Sequence, residues 1–225
     1  MTPSCFINFA KTYLKEFTVR GITFTGEGNA SLDSWSRNLK LALKKFPSDI
    51  VIGHSFGGML LLSTRGLDKL VKGQVILSAS PDLSWHKNAD KINLSKSESI
   101  ATKLAELKFK KNPTPQSLKQ LWKSWAPYYF STRNRAKGRL WLWLQNYELK
   151  AHRSSEKLLA NYSMLNPATL PTLFIGGKQD KLTPVAAFKK KLLGKNYIGL
   201  IREIPRAGHF CWLDAPKRTA SKLCY

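Results

Sequence analysis

Apolar positions along the chain change period several times, and each change predicts an element. Phe6, Phe9, Ala10, Tyr13 and Leu14 recur at helical spacing over residues 6–16. Residues 17–24 then turn to β-favouring types, Val19 and Ile22 among them, and read as a strand. A glycine-rich loop, 25–29, follows. Ser34 is placed to cap a helix over 35–46 with Trp35, Leu39, Ala42, Leu43 and Phe46 on one face, and Pro47 ends it. Four short apolar runs, 49–53, 74–79, 172–177 and 199–204, read as buried strands. Pro184 opens a helix between the last two, bearing Val185, Phe188, Leu192 and Leu193. Strands alternating with helices imply an α/β fold with a mostly parallel sheet covered by helices on both faces.

Residues 82–168 break the alternation. They hold no clear strand and four helical stretches, at 95–110, 115–125, 134–150 and 153–162. The expected division is a core made of 1–81 and 169–225, with 82–168 inserted as a helical lid. Most of the lid's aromatics should pack it onto the core. Trp122, Trp125, Tyr129 and Trp141 are the candidates to line an apolar substrate cavity.

The first buried run leads into Gly53, His54, Ser55, Phe56 and Gly57, a G-x-S-x-G string, and then into the apolar run Met59-Leu60-Leu61-Leu62. A serine on so sharp a strand-to-helix turn holds its hydroxyl out beyond the sheet. Gly53 and Gly57 remove side chains that would collide where the backbone folds back. The N–H of Phe56 opens the helix and can face an oxyanion. Otherwise Ser55 is simply a helix N-cap. A serine nucleophile needs a base and a group to orient that base. His54 lies in the turn and should point away from Ser55, while His86 and His152 fall in the lid segment. His209 follows the last strand and Asp180 the strand before it, so both belong to the sheet edge that carries Ser55. The order Ser, Asp, His is one of the three arrangements of this triad.

Composition adds two constraints. Cys5, Cys211 and Cys224 show no metal-ligand spacing and read as reduced thiols of a cytoplasmic protein. No apolar run approaches the ~20 residues of a membrane span. With 37 Lys and Arg against 14 Asp and Glu, the net charge is +23. Residues 86–157 are the most basic part, with 16 cations and 5 anions. Such a surface suits anionic lipid, nucleic acid or an acidic carrier, or is a set of solvated lysines. No nucleic-acid motif accompanies it, and nothing calls for a metal or organic cofactor.

Gly53–Gly58, the run 173–184 (LFIGGKQDKLTP) and the run 204–216 (IPRAGHFCWLDAP) together resemble the elbow, acid and histidine segments of α/β-hydrolase fold enzymes, of the small lid-bearing serine hydrolase or carboxylesterase type. The resemblance covers nearly the whole chain. It implies Ser55 as nucleophile, His209 as general base and then acid, Asp180 as orienter of the imidazole, and a small or medium ester, thioester or amide as substrate. Serine at the elbow argues against epoxide hydrolases and dehalogenases, which place Asp there. It leaves peptidase and haloperoxidase-like branches open. Two departures stand out. Met1 falls about where the family's H-G oxyanion loop would end, so the first strands and that segment are expected to be absent, leaving the Phe56 N–H as the remaining oxyanion donor. Thr23 stands where the family commonly has Asp. The alternative function is a catalytically weak or inactive binding protein with a basic surface.

Overall fold

The computed structural model describes residues 4–24, 31–159, 162, 164, 170–192 and 198–223. Strands β1 (Ile50–His54), β2 (Gly73–Leu77), β3 (Thr172–Gly177) and β4 (Gly199–Ile204) form one parallel sheet in the order of the chain. Their carboxyl ends therefore share one edge. Helix α1 (Ser4–Tyr13), α2 (Leu32–Lys45) and α3 (Phe56–Ser63) precede β2. Six more, α4 (Ser84–Asp90), α5 (Lys96–Lys111), α6 (Pro115–Ser124), α7 (Ala126–Tyr129), α8 (Arg135–Leu144) and α9 (Leu149–Leu159), lie between β2 and β3. Then come α10 (Ala186–Leu192), α11 (Cys211–Asp214) and α12 (Pro216–Leu223).

Successive strand residues point to opposite faces, so the buried strands feed two cores. Ile76 and Phe174 join Trp35, Leu39 and Leu43 of α2, Met59 to Leu62 of α3 and Phe188 of α10. Val75, Leu77 and Ile175 join Phe9 and Ala10 of α1, Trp212 of α11 and Ala220 of α12. Helices on both faces are what the unbroken apolar runs demanded.

The predicted strands at 172–177 and 199–204 coincide with β3 and β4. Residues 17–24 are not a strand. Among the described residues no ladder partner reaches them, and the outer edge of β1 is likewise unpaired. Composition cannot supply a missing ladder. Phe17 and Val19 stay exposed, while Ile22 and Phe24 pack against the core, Phe24 stacking on Trp35 with ring centroids 5.1 Å apart. The loop 25–29 and Leu193 lie outside the described residues.

The cap of α2 is Ser31 rather than Ser34. Ser34 is the third helical residue, and the two serines close a reciprocal capping box. Phe46, expected on the buried face, is half-exposed. The stretch 134–150 is two helices. The Tyr147 hydroxyl donates to the Leu142 carbonyl at 2.8 Å, satisfying an end of α8, and Gln145 turns extended. Helices α4 and α7 were not anticipated. No helix among the described residues is long and apolar enough to cross a membrane.

Candidate active site

Ser55 joins β1 to α3 with φ 52° and ψ −119°, a conformation strained for any residue with a Cβ. Its N–H donates to the Leu77 carbonyl at 2.9 Å, tying the turn to the end of β2. Strand and helix approach so closely that a Cβ on Gly53 would lie 2.6 Å from the Gly57 carbonyl oxygen. A Cβ on Gly58 would lie 2.8 Å from that of Ala79, whereas one on Gly57 would meet nothing within 4 Å. The second glycine that packing demands is thus Gly58 and not Gly57. Phe56 is the first residue of α3, so its N–H has no acceptor inside the helix.

Asp180 and His209 leave the ends of β3 and β4 and meet in the interior, 3% and 2% exposed. Asp180 Oδ1 accepts from the N–H groups of Leu182 and Thr183, both at 3.0 Å. Its Oδ2 accepts from Thr183 Oγ1 at 2.8 Å and lies 3.0 Å from His209 Nδ1. Burial alone would raise the carboxyl's pKa. The His209 ring and the Thr183 donors outweigh it and hold the group below its ordinary value. An ionised carboxylate only accepts, so Nδ1 carries a proton and donates it to Oδ2. Thr183 Oγ1 also lies 3.1 Å from Nδ1. Among the described residues Ser55 Oγ has no hydrogen bond to this ring, whose contacts run through Nδ1.

The histidine's backbone is fixed from the helical segment. Its N–H donates to the Tyr129 carbonyl at 2.7 Å. Gly208 N–H donates to Asp214 Oδ2 at 2.7 Å, and the same carboxylate accepts from Ser131 N–H and Asn134 Nδ2. Gly177 lets this loop settle on β3, since a Cβ there would lie 2.2 Å from the carbonyl oxygens of Ala207 and Gly208. His54 belongs to the same support. Its ring lies 4.8 Å from that of His209 and 4.4 Å from that of Trp212. Its Nε2 donates to the His209 carbonyl at 3.2 Å. Burial, and then the neighbouring His209, hold its pKa well below 6.5.

Thr183, His54 and Asp214 were missed as site residues. A Thr three positions after the acid, able to close a turn on it, was the one local signal available.

Of the four aromatic candidates, Tyr129 stands against His209, with ring centroids 5.2 Å apart. Trp122 is one ring further out, stacked on Tyr129. Trp125 packs edge-on against Trp122 and donates from Nε1 to Glu106. Trp141 packs 5.0 Å from Phe210 and lines a cleft of about 220 Å³ with Phe9, Tyr13 and Lys137, a cleft that none of Ser55, Asp180 or His209 lines. His86 stacks on Trp85, and His152 packs against Phe109 and Trp122. Burial raises the Cys211 thiol to about 12, which removes it as a nucleophile. Among the described residues no group of three or more His, Cys, Asp or Glu could hold a metal ion.

The family described as "Alpha/beta hydrolase family" matches residues 2–222. Among solved structures, an esterase from Exiguobacterium antarcticum superimposes with a TM-score of 0.70 at 14% identity, covering 99% of this chain and 86% of that one. A thermophilic esterase from Thermogutta terrifontis gives 0.67 at 15% identity, covering 100% and 84%. The putative non-heme bromoperoxidase BpoC of Mycobacterium tuberculosis gives 0.62 at 17%, covering 88% and 74%. No curated protein matches the chain.

Proposed function

The chain belongs to the alpha/beta hydrolase family, and from that premise we propose that it is a serine hydrolase that cleaves an ester, thioester or amide through an acyl-enzyme. The observation that carries this reading is the buried Asp180–His209 pair, 3.0 Å apart, at the sheet edge where Ser55 stands on a strained turn. Ser55 Oγ attacks the carbonyl carbon. His209 Nε2 takes the hydroxyl proton, because Nδ1 is committed to Asp180. The Phe56 N–H faces the developing oxyanion. The tetrahedral intermediate collapses as the imidazolium protonates the leaving group, and water, deprotonated by the same nitrogen, releases the acyl group. Asp180 stays ionised throughout and stabilises the imidazolium.

Residues 82–168 act as a lid in this reading, and Tyr129 and Trp122 favour a small or medium substrate with an apolar part. The esterase structures the chain resembles support an ester more than an amide. The positive surface suits an acidic carrier for the acyl group. A second reading, a weakly active or inactive binding protein, is favoured by one observation: Ser55 Oγ is not hydrogen-bonded to the imidazole. Such bonds are often long in unliganded enzymes and tighten on substrate.

The two readings separate with a fluorophosphonate probe and a p-nitrophenyl ester. Wild type should be labelled and should hydrolyse the ester, and Ser55→Ala should do neither. A folded wild type that resists labelling would establish the binding reading instead.

A further inference from the structure

Helix α5 carries its apolar residues on the outside. Ile100, Leu104 and Leu107 are 50%, 62% and 64% exposed. At ~100° per residue they fall within about 60° of arc, one stripe about 10 Å long. Lys96, Lys103, Lys108, Lys110 and Lys111 are all exposed and all lie within about 80° of Ile100 on the same wheel. The helix's two acids are on the far side and already engaged. Glu98 bridges Arg135 and Arg139 of α8 and closes the Ser95 capping box, and Glu106 accepts from Trp125. The outward face of α5 is therefore an apolar stripe framed by five cations and no anion.

Single exposed leucines are ordinary. A row of them flanked by lysines can rest on a lipid–water interface, where lysine stems run along apolar surface and their ammonium groups stay in water. We propose that α5 docks the protein on an anionic lipid surface. Charge decides the partner: a zwitterionic surface offers nothing to five lysines, while an anionic leaflet attracts each of them and admits the stripe between them. The capping box and the two arginine bridges hold α5 as a helix before it binds, so docking needs no folding step. The surface is independent of the chemistry at Ser55.

The test is sedimentation of the full chain with vesicles of phosphatidylcholine alone and of phosphatidylcholine mixed with phosphatidylglycerol. A net charge of +23 would by itself draw the protein to anionic vesicles, so the informative quantity is the change on substitution. Ile100→Ser/Leu104→Ser/Leu107→Ser should lower partition into anionic vesicles by about tenfold or more while leaving the charge untouched. Lys103→Gln and Lys111→Gln should each lower it by about fivefold. Ser55→Ala should partition as wild type does, which keeps this result separate from the fate of the hydrolase reading. Thermal melting of the triple variant checks that it is folded. Partition unchanged in a folded triple variant overturns the proposal. So does a wild type that ignores anionic vesicles yet binds soluble polyglutamate, which would give the face to an acidic protein.

Discussion

Around Asp180 both carboxylate oxygens are filled: Oδ1 accepts two backbone N–H groups, and Oδ2 takes the Thr183 hydroxyl and lies against the His209 ring. Two strands away, at the end of β1, Ser55 Oγ is bonded to neither the imidazole nor its own helix, and the residue is held by backbone alone at φ 52°. The first corner is fixed by satisfied polar groups in a buried interior. The second is fixed by the close approach of Gly53 and Gly58 to their neighbours. The Asp180–His209 pair therefore keeps its geometry through hydrogen bonding, and Ser55 keeps its through the close packing around its turn.

The largest effect should come from emptying the saturated corner of its charge. Asp180→Asn preserves size but places an amide beside Nδ1, and the ring can then turn its proton to Nε2 and lose the base. Turnover of a p-nitrophenyl ester should fall by about 10⁴-fold with KM little changed. Retention of more than a tenth of wild-type kcat would mean that Asp180 does not orient His209 in the reaction.

The strained corner should answer in stability. Ser55→Ala and Ser55→Gly both remove the hydroxyl, but only glycine takes the φ 52°, ψ −119° conformation without strain. Release of the strain is worth about 1–3 kcal/mol, against about 0.5–1 kcal/mol for the extra freedom of glycine in the unfolded chain. Ser55→Gly should therefore be more stable than Ser55→Ala by about 1 kcal/mol, a rise of about 2–4 °C in Tm for a domain of this size. Equal melting temperatures would show that the turn holds no strain worth releasing.

The two corners also differ in how far the sequence disclosed them. The strand ends that carry Ser55, Asp180 and His209 were legible because apolar runs announce them, and β3 and β4 lie where their runs predict. What supports them was not. The contact of His54 with His209 gave no local sign, because a position inside a turn says nothing about which ring will pack against it. Asp214 and the Tyr129 carbonyl act across long sequence separation, through loops whose approach no local pattern encodes. Residues 17–24 failed for the complementary reason: β-favouring side chains are local, but a strand exists only where a partner completes its ladder. An aromatic's identity likewise does not say where it will face, and Trp141 lies on a cleft with Phe9, Tyr13 and Lys137.

The smallest expected effect concerns His54, which stands between the corners with its ring on His209 and Nε2 on the His209 carbonyl. Its pKa is lowered well below 6.5 by burial and then by the neighbouring imidazole. The sign follows from linkage: as pH falls below 6.5 the unfolded chain takes a proton that the folded ring refuses, so stability is full above 6.5 and declines below it. One such group contributes no more than about 1.4 kcal/mol per pH unit. Asp180 also loses its contribution on acidification, but only near and below pH ~4, because its folded pKa lies beneath the ordinary carboxylate value. His54→Gln keeps a donor for the His209 carbonyl and removes the titration. Its melting temperature should match wild type near pH 8 and fall less steeply between about pH 6.5 and 5. His152, which burial and nearby positive charge bring down to about 4, contributes to the slope that remains. Parallel curves for variant and wild type would show that His54 takes its proton in the folded protein as freely as in the unfolded chain, and that the bridge between the corners is a packing contact alone.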